Sequence, residues 1–188
     1  MPGRVYKSLF ELATDQYGYV TAENAVEMGI SRARLPEMAR RGTIERVDRG
    51  LYRFPALPRG PLDQYMEAVL WPHRTRGAIS HASALRLHDL CDVNPAQIDI
   101  TVPRGHRVTR TPPTIYRLHR RDLEPSDMGL HEGIPIVVPR RAILDGIEAH
   151  LGHGLLRQAI TTGRRRGLLT RGDAIELERR LDPPWRRP

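Results

Sequence analysis

An α+β fold in two parts is what this sequence predicts, and three observations carry the prediction. Between Tyr19 and Phe54, two short helical patterns are followed by two short alternating runs, and each pair is joined by a glycine-containing turn. A Pro- and Gly-rich stretch at 55–61 then interrupts the apolar periodicity. Beyond it the hydrophobic period changes from helical to alternating and back, the pattern of a small sheet set among helices. With the boundary at that stretch, residues 1–58 read as a winged helix-turn-helix domain and residues 59–188 as a C-terminal α+β domain.

Each element of the first part has a local cause. Val5, Leu9, Leu12 and Ala13 recur at helical spacing, predicting a first helix from about Arg4 to Asp15 that Gly18 ends. Thr21 caps a helix with apolar positions Ala22, Ala25 and Val26, and Met28-Gly29-Ile30 supplies the turn after it. Ser31 caps a second helix, with Ile30 and Leu35 as a hydrophobic staple and Gly42 just past the last turn. Pro36 removes a backbone bond inside that helix, so the helix starts nearer Leu35 or kinks there. Residues 43–47 and 51–54 alternate like strands around the hairpin chemistry of Asp48-Arg49-Gly50. Helix, turn, helix and hairpin make the order of a winged helix-turn-helix.

That order points to DNA. With Leu35, Met38 and Ala39 turned inward, the opposite side of the second helix carries Ala33, Pro36, Glu37 and Arg40, flanked by Arg32, Arg34 and Arg41. From 31 to 54 seven arginines stand against three acids, a local excess of four positive charges. The candidate DNA contacts are therefore Thr21, Ser31, Arg32, Ala33, Arg34, Glu37, Arg40 and Arg41 in the helix-turn-helix, with Arg46, Arg49 and Arg53 in the wing. The partner is double-stranded operator DNA. Against this stands a plain packed module that meets protein instead. The whole chain carries +8 over 188 residues, yet Lys7 is its only lysine, and such an arginine bias also arises from a GC-rich genome. Charge counts here because it coincides with the helix and wing.

In the second part, 62–71 and 79–90 are helical in period, the latter with Ala82, Leu85 and Leu87 inward. Residues 97–102 and 114–118 alternate as strands about a basic loop at 103–111, and 133–138 is a third extended run. Pro139 opens a helix through Ile143, Leu144 and Ile147, and another covers Leu155, Leu156, Ala159 and Ile160. Thr170 with Asp173 makes a capping box for the last helix, through Ile175, Leu177 and Leu181.

Four stretches, ARRGTIERVDRGLYRF, AISHASALRLHDL, IDITVPRG and GIPIVVPRRAILDGI, together resemble the AbiEi-type antitoxins of bacterial type IV toxin–antitoxin pairs, in that family's order and at similar spacing. The resemblance implies an N-terminal winged helix that represses its own operon. It also implies a C-terminal domain that opposes a nucleotidyltransferase-like toxin encoded in the same operon. In the second part the matching positions, Ile79, Leu85, Ile100 and Pro135, are mostly apolar and read as core, so no toxin-facing residue carries over. Two other readings stand beside this one. The first is a stand-alone winged-helix repressor whose C-terminal domain senses a ligand or partner; the second is an enzyme, an atypical kinase, that modifies the toxin.

Chemistry beyond binding has little support in the sequence. No GxxxxGK[ST] or GxGxxG phosphate cradle follows a strand, so neither a cofactor nor an enzymatic activity is expected. Ser80-His81 with Asp89 lacks a nucleophile-elbow motif. His81, His88 and Cys91 lack a fourth zinc ligand, and the single cysteine excludes an internal disulfide, so no catalytic or metal residue is assigned. Two basic clusters, Arg104, Arg107 and Arg110, and Arg164, Arg165 and Arg166, are candidates for contact with a partner or with flanking nucleic acid. No targeting segment or membrane-length apolar run is seen, which leaves a soluble cytoplasmic protein as the expectation.

Overall fold

The computed structural model describes residues 3–107 and 110–183, which fall into two compact units, Met1–Gly77 and Ala78–Pro188. The first unit begins with α1 (Arg4–Asp15), β1 (Tyr19–Thr21), α2 (Ala22–Glu27) and α3 (Arg34–Arg40). The hairpin β2 (Glu45–Asp48) and β3 (Leu51–Arg53) follows, then α4 (Asp63–Leu70). The strands form one antiparallel sheet in the order β1-β3-β2. Leu9 and Ala13 of α1, Val20 of β1, Ala25 of α2 and Leu35 and Met38 of α3 close over Ile44, Tyr52 and Phe54. Burying each of the larger apolar side chains contributes about 1.5–3 kcal/mol. The rings of Tyr6 and Phe10 meet Phe54 edge-on at 5.4 and 5.5 Å.

This unit is longer than the winged-helix span because the chain after β3 is tied back onto it. Arg53 is buried, and its guanidinium donates to the carbonyls of Leu57 at 2.9 Å and Pro58 at 3.1 Å, with Asp63 Oδ2 at 3.5 Å. The Pro- and Gly-rich stretch is therefore held to β3 by its carbonyls, with Leu57 partly covered and the other residues exposed. Tyr19 Oη donates to Glu67 at 2.8 Å, and burial together with that carboxylate pushes the phenol's pKa upward. Trp71 Nε1 donates to Asp48 Oδ2 at 2.7 Å, and Arg76 donates to Gln16.

The second unit runs β4 (Ala78–Ile79), α5 (His81–Leu87), β5 (Ile98–Val102), β6 (Tyr116–Arg120), a 3₁₀ turn at Pro125–Asp127, β7 (Met128–His131) and β8 (Ile134–Val137). Three helices complete it: α6 (Pro139–Glu148), α7 (His153–Arg165) and α8 (Arg171–Leu181). Its sheet is mixed, in the order β6-β5-β4-β8-β7, with β5 parallel to β6 and β4 parallel to β8. All of β5 is buried: Ile98, Ile100 and Val102 lie on one face and Asp99 and Thr101 on the other, where Ser83 of α5 meets Asp99. Pro139 stands at the start of α6 and the Thr170–Asp173 capping box opens α8, as their chemistry requires.

Three elements differ from the sequence reading, the first being β1, which forms by pairing with β3. The helix expected over 79–90 is shorter, because Ala78 and Ile79 are drawn into the sheet between β5 and β8. A further strand, β7, pairs with β8 across Glu132-Gly133. The expected basic loop includes residues 108–109, which lie outside the described residues. Among the described residues no helix is long and apolar enough to cross a membrane.

Removing the carboxylate from the Arg53 site tests this packing. Asp63→Ala is expected to lower unfolding free energy in urea by about 3 kcal/mol, since it strands a buried guanidinium. A loss below about 0.5 kcal/mol would show that the carbonyls satisfy Arg53 alone.

Candidate DNA interface

The helix-turn-helix is fixed by its caps. Thr21 Oγ1 accepts from Asn24 N–H at 3.1 Å while Asn24 Oδ1 accepts from Thr21 N–H at 3.0 Å, a reciprocal box that starts α2. At its other end Gly29 adopts φ +70°, letting Ile30 N–H reach Ala25 O at 2.7 Å. The same closure ends α3, with Gly42 at φ +72° and Thr43 N–H on Met38 O at 3.0 Å. Both ends follow the Schellman pattern, which explains why glycine stands at these two positions. Ile30 packs against the core beside Leu35. Ser31 lies in the turn before α3, where its Oγ accepts weakly from Ala33 N–H, and the helix begins at Arg34 with Ala33 as its cap. Pro36 therefore falls in the first turn, where a missing N–H costs little.

The six candidate arginines other than Arg53 divide into three groups. Arg34 and Arg41 both pair with Glu37, at 2.8 and 2.5 Å, and these bonds hold the Glu37 carboxyl below the usual range. Arg32 and Arg40 are exposed and, among the described residues, form no ion pair. In the wing, Arg46 and Arg49 are exposed. The turn carrying Arg49 is anchored from below by Trp71 on Asp48 and by the Gly50 carbonyl accepting from Ala22 N–H at 2.8 Å.

Two expected contacts are instead buried in the fold. Arg53 sits inside the first unit among Leu57, Pro58 and Asp63, because β3 is the central strand of the sheet and its side chains are covered on both faces. Thr21 is buried as a cap, with its hydroxyl already engaged. Ala33 is exposed at the start of α3.

In the second unit, Arg166 donates to the carbonyls of His88 and Asp89 at 2.7 and 2.9 Å, so it closes the end of α5. Arg164 and Arg165 are exposed on α7, and Arg104 and Arg107 on the loop after β5. Arg110 is partly covered. Asp89, considered beside Ser80-His81, faces solvent near Arg166 and not His81. His88 is bonded to Val137 O. What sequence reasoning missed is that Ser80 and His81 touch each other at 2.9 Å and share a polar cluster with Asp99, His119 and Asp145. The sequence carries no signal for this, because His119 reaches Asp99 only through the parallel register that sets it opposite Thr101.

Because Glu37 holds both Arg34 and Arg41, Glu37→Gln is expected to free them and raise affinity for random duplex severalfold at low salt, with a steeper salt dependence. Fluorescence anisotropy across a salt series reads this. An unchanged slope would remove Arg34 and Arg41 from the phosphate contacts.

Residues 7–55 match a family model described as "Transcriptional regulator, AbiEi antitoxin", a span that runs from α1 to just past β3. No curated protein matches the chain. Among solved structures, the RV2827C protein from Mycobacterium tuberculosis is similar over 99% of this chain and 80% of its own, with a TM-score of 0.52 and 18% identity, a likeness of fold. The family that the sequence motifs resemble is thus the one its N-terminal unit matches: the AbiEi antitoxin transcriptional regulators.

Proposed function

We propose that this chain is the antitoxin of a toxin–antitoxin pair, that it binds operator DNA through its N-terminal winged helix to repress its own operon, and that its second unit neutralises a nucleotidyltransferase-type toxin. The observation that carries the DNA half is the exposed cationic face of α3 on a capped helix-turn-helix, inside the span that matches the regulator family. In this reading Arg40 reads base edges, Arg32, Arg34, Arg41, Arg46 and Arg49 meet phosphate, and Arg104, Arg107, Arg164 and Arg165 are contacts for the toxin or flanking DNA. Residues 1–58 hold the DNA contacts and residues 59–188 the antitoxicity, although the packed unit that supports the winged helix extends to Gly77. The protein acts in the cytoplasm, by binding and not by catalysis.

Arg40→Ala is expected to cost roughly 1–3 kcal/mol of discrimination between operator and random duplex. Arg49→Ala should weaken both alike and lower the salt slope. The double variant should lose repression and still rescue growth when the neighbouring toxin gene is expressed from an independent promoter. If it folds, loses DNA binding and also fails to rescue, the division of labour is wrong. Incubating both proteins with labelled nucleotide tests the modifying-enzyme reading, and transfer of label to the toxin would replace neutralisation by binding.

A further inference from the structure

The second unit buries an unusual set of polar side chains in one place. Ser80, Ser83, Asp99, Thr101, Arg141 and Asp145 are all buried and gather where β4 passes into α5. His81, the first residue of α5, stands at φ 50°, which for a non-glycine residue costs about 1–3 kcal/mol and persists only where the surroundings impose it. Its ring lies face to face on that of His119, 3.5 Å between centroids and 15° between planes.

Each ring is held from behind. Asp99 Oδ1 is 2.9 Å from His119 Nε2, and Asp99 is set in place by its own N–H donating to Ser83 Oγ at 2.8 Å. A carboxylate on Nε2 makes that nitrogen the donor, so the neutral ring keeps its lone pair on Nδ1. His81 Nδ1 lies 2.9 Å from Ser80 Oγ, and that hydroxyl accepts from Thr101 Oγ1 at 2.8 Å. With a hydrogen bond accepted from Thr101, Ser80 can give its own hydrogen to His81 Nδ1, and the neutral ring then carries its N–H on Nε2. Burial and the stacked His119 lower the His81 pKa to about 4, so this ring is a neutral donor at neutral pH.

Exposure rises outward from this floor. Side-chain exposure is 1% for Asp145, 12% for His81, 24% for His119, 34% for Arg121 and 59% for Arg117. The two guanidiniums form the rim, where Arg121 pairs with Glu148, and Arg117, which also donates to Gln97 at 3.0 Å, approaches the buried Asp99 at 4.0 Å. At the bottom of the cluster Asp145 Oδ2 has no hydrogen-bond partner among the described residues and stands 3.8 Å from His81 Nδ1. The rim and rings together offer two planar guanidiniums, one imidazole N–H and one imidazole lone pair. That set matches a compact tetrahedral oxyanion with several acceptors and one acidic hydroxyl.

We propose that the His81–His119 stack, with Arg117 and Arg121, forms a binding site for a small phosphate anion, either free or as a nucleoside monophosphate. The site lies wholly within the second unit and does not depend on the DNA-binding reading. Heteronuclear NMR of the imidazole rings in the full chain, titrated separately with inorganic phosphate and adenosine 5′-monophosphate, tests it. Saturable shifts of both rings are expected, and in an Arg117→Gln, Arg121→Gln double variant with unchanged thermal unfolding the affinity should fall roughly tenfold or more. Tighter binding of the nucleotide would assign the site to an ester, and equal binding to phosphate itself. Absence of saturable shifts with either probe, or equal affinity in the folded double variant, overturns the proposal.

Discussion

Arg53 sets the architecture of the first unit. A guanidinium in the central strand of a three-stranded sheet is covered on both faces, so its charge must be met from inside the fold. The chain meets it by folding residues 57–58 and the start of α4 back onto β3, where two carbonyls and Asp63 surround the charge. From that return follow the Tyr19–Glu67 and Trp71–Asp48 bonds, and through Asp48 the turn that carries Arg49. A side chain that in sequence looks like one more cation for DNA is thus what gives the winged helix a rigid base.

Most of the first unit was legible because its signals are local. The span of α1, the Thr21 cap and the two glycines after α2 and α3 are short-range chemistry, and each stands where its residues put it. Strand β1 was not legible, since Tyr19-Val20-Thr21 is too short to show a period and becomes a strand by pairing with β3. The same holds for β4, two residues drawn from an apparently helical run by partners on both sides. Strand β7 contains Met, Gly and His, weak strand formers held by the hairpin with β8.

The candidate sites divide in the same way. Arg32, Arg40, Arg46 and Arg49 are exposed, as a helical wheel and a hairpin suggest, whereas burial removes Arg53 from the surface and capping occupies Thr21. Alternation in β5 implies a polar face toward solvent, but α5 covers that face, so Asp99 and Thr101 become the floor of a polar cluster. Asp99 and His119 meet only through the parallel register of β5 and β6. No local pattern announces such a pair, and a parallel register between distant segments cannot be read from periodicity.

In the function proposed above, the α3 and wing surface of the first unit meets DNA. Amide hydrogen exchange of the full chain, with and without a duplex from the region upstream of its gene, tests it most directly. Slowed exchange concentrated between residues 31 and 50 is the predicted result. Protection confined to the second unit, or none at concentrations that saturate binding, would place the DNA contacts elsewhere.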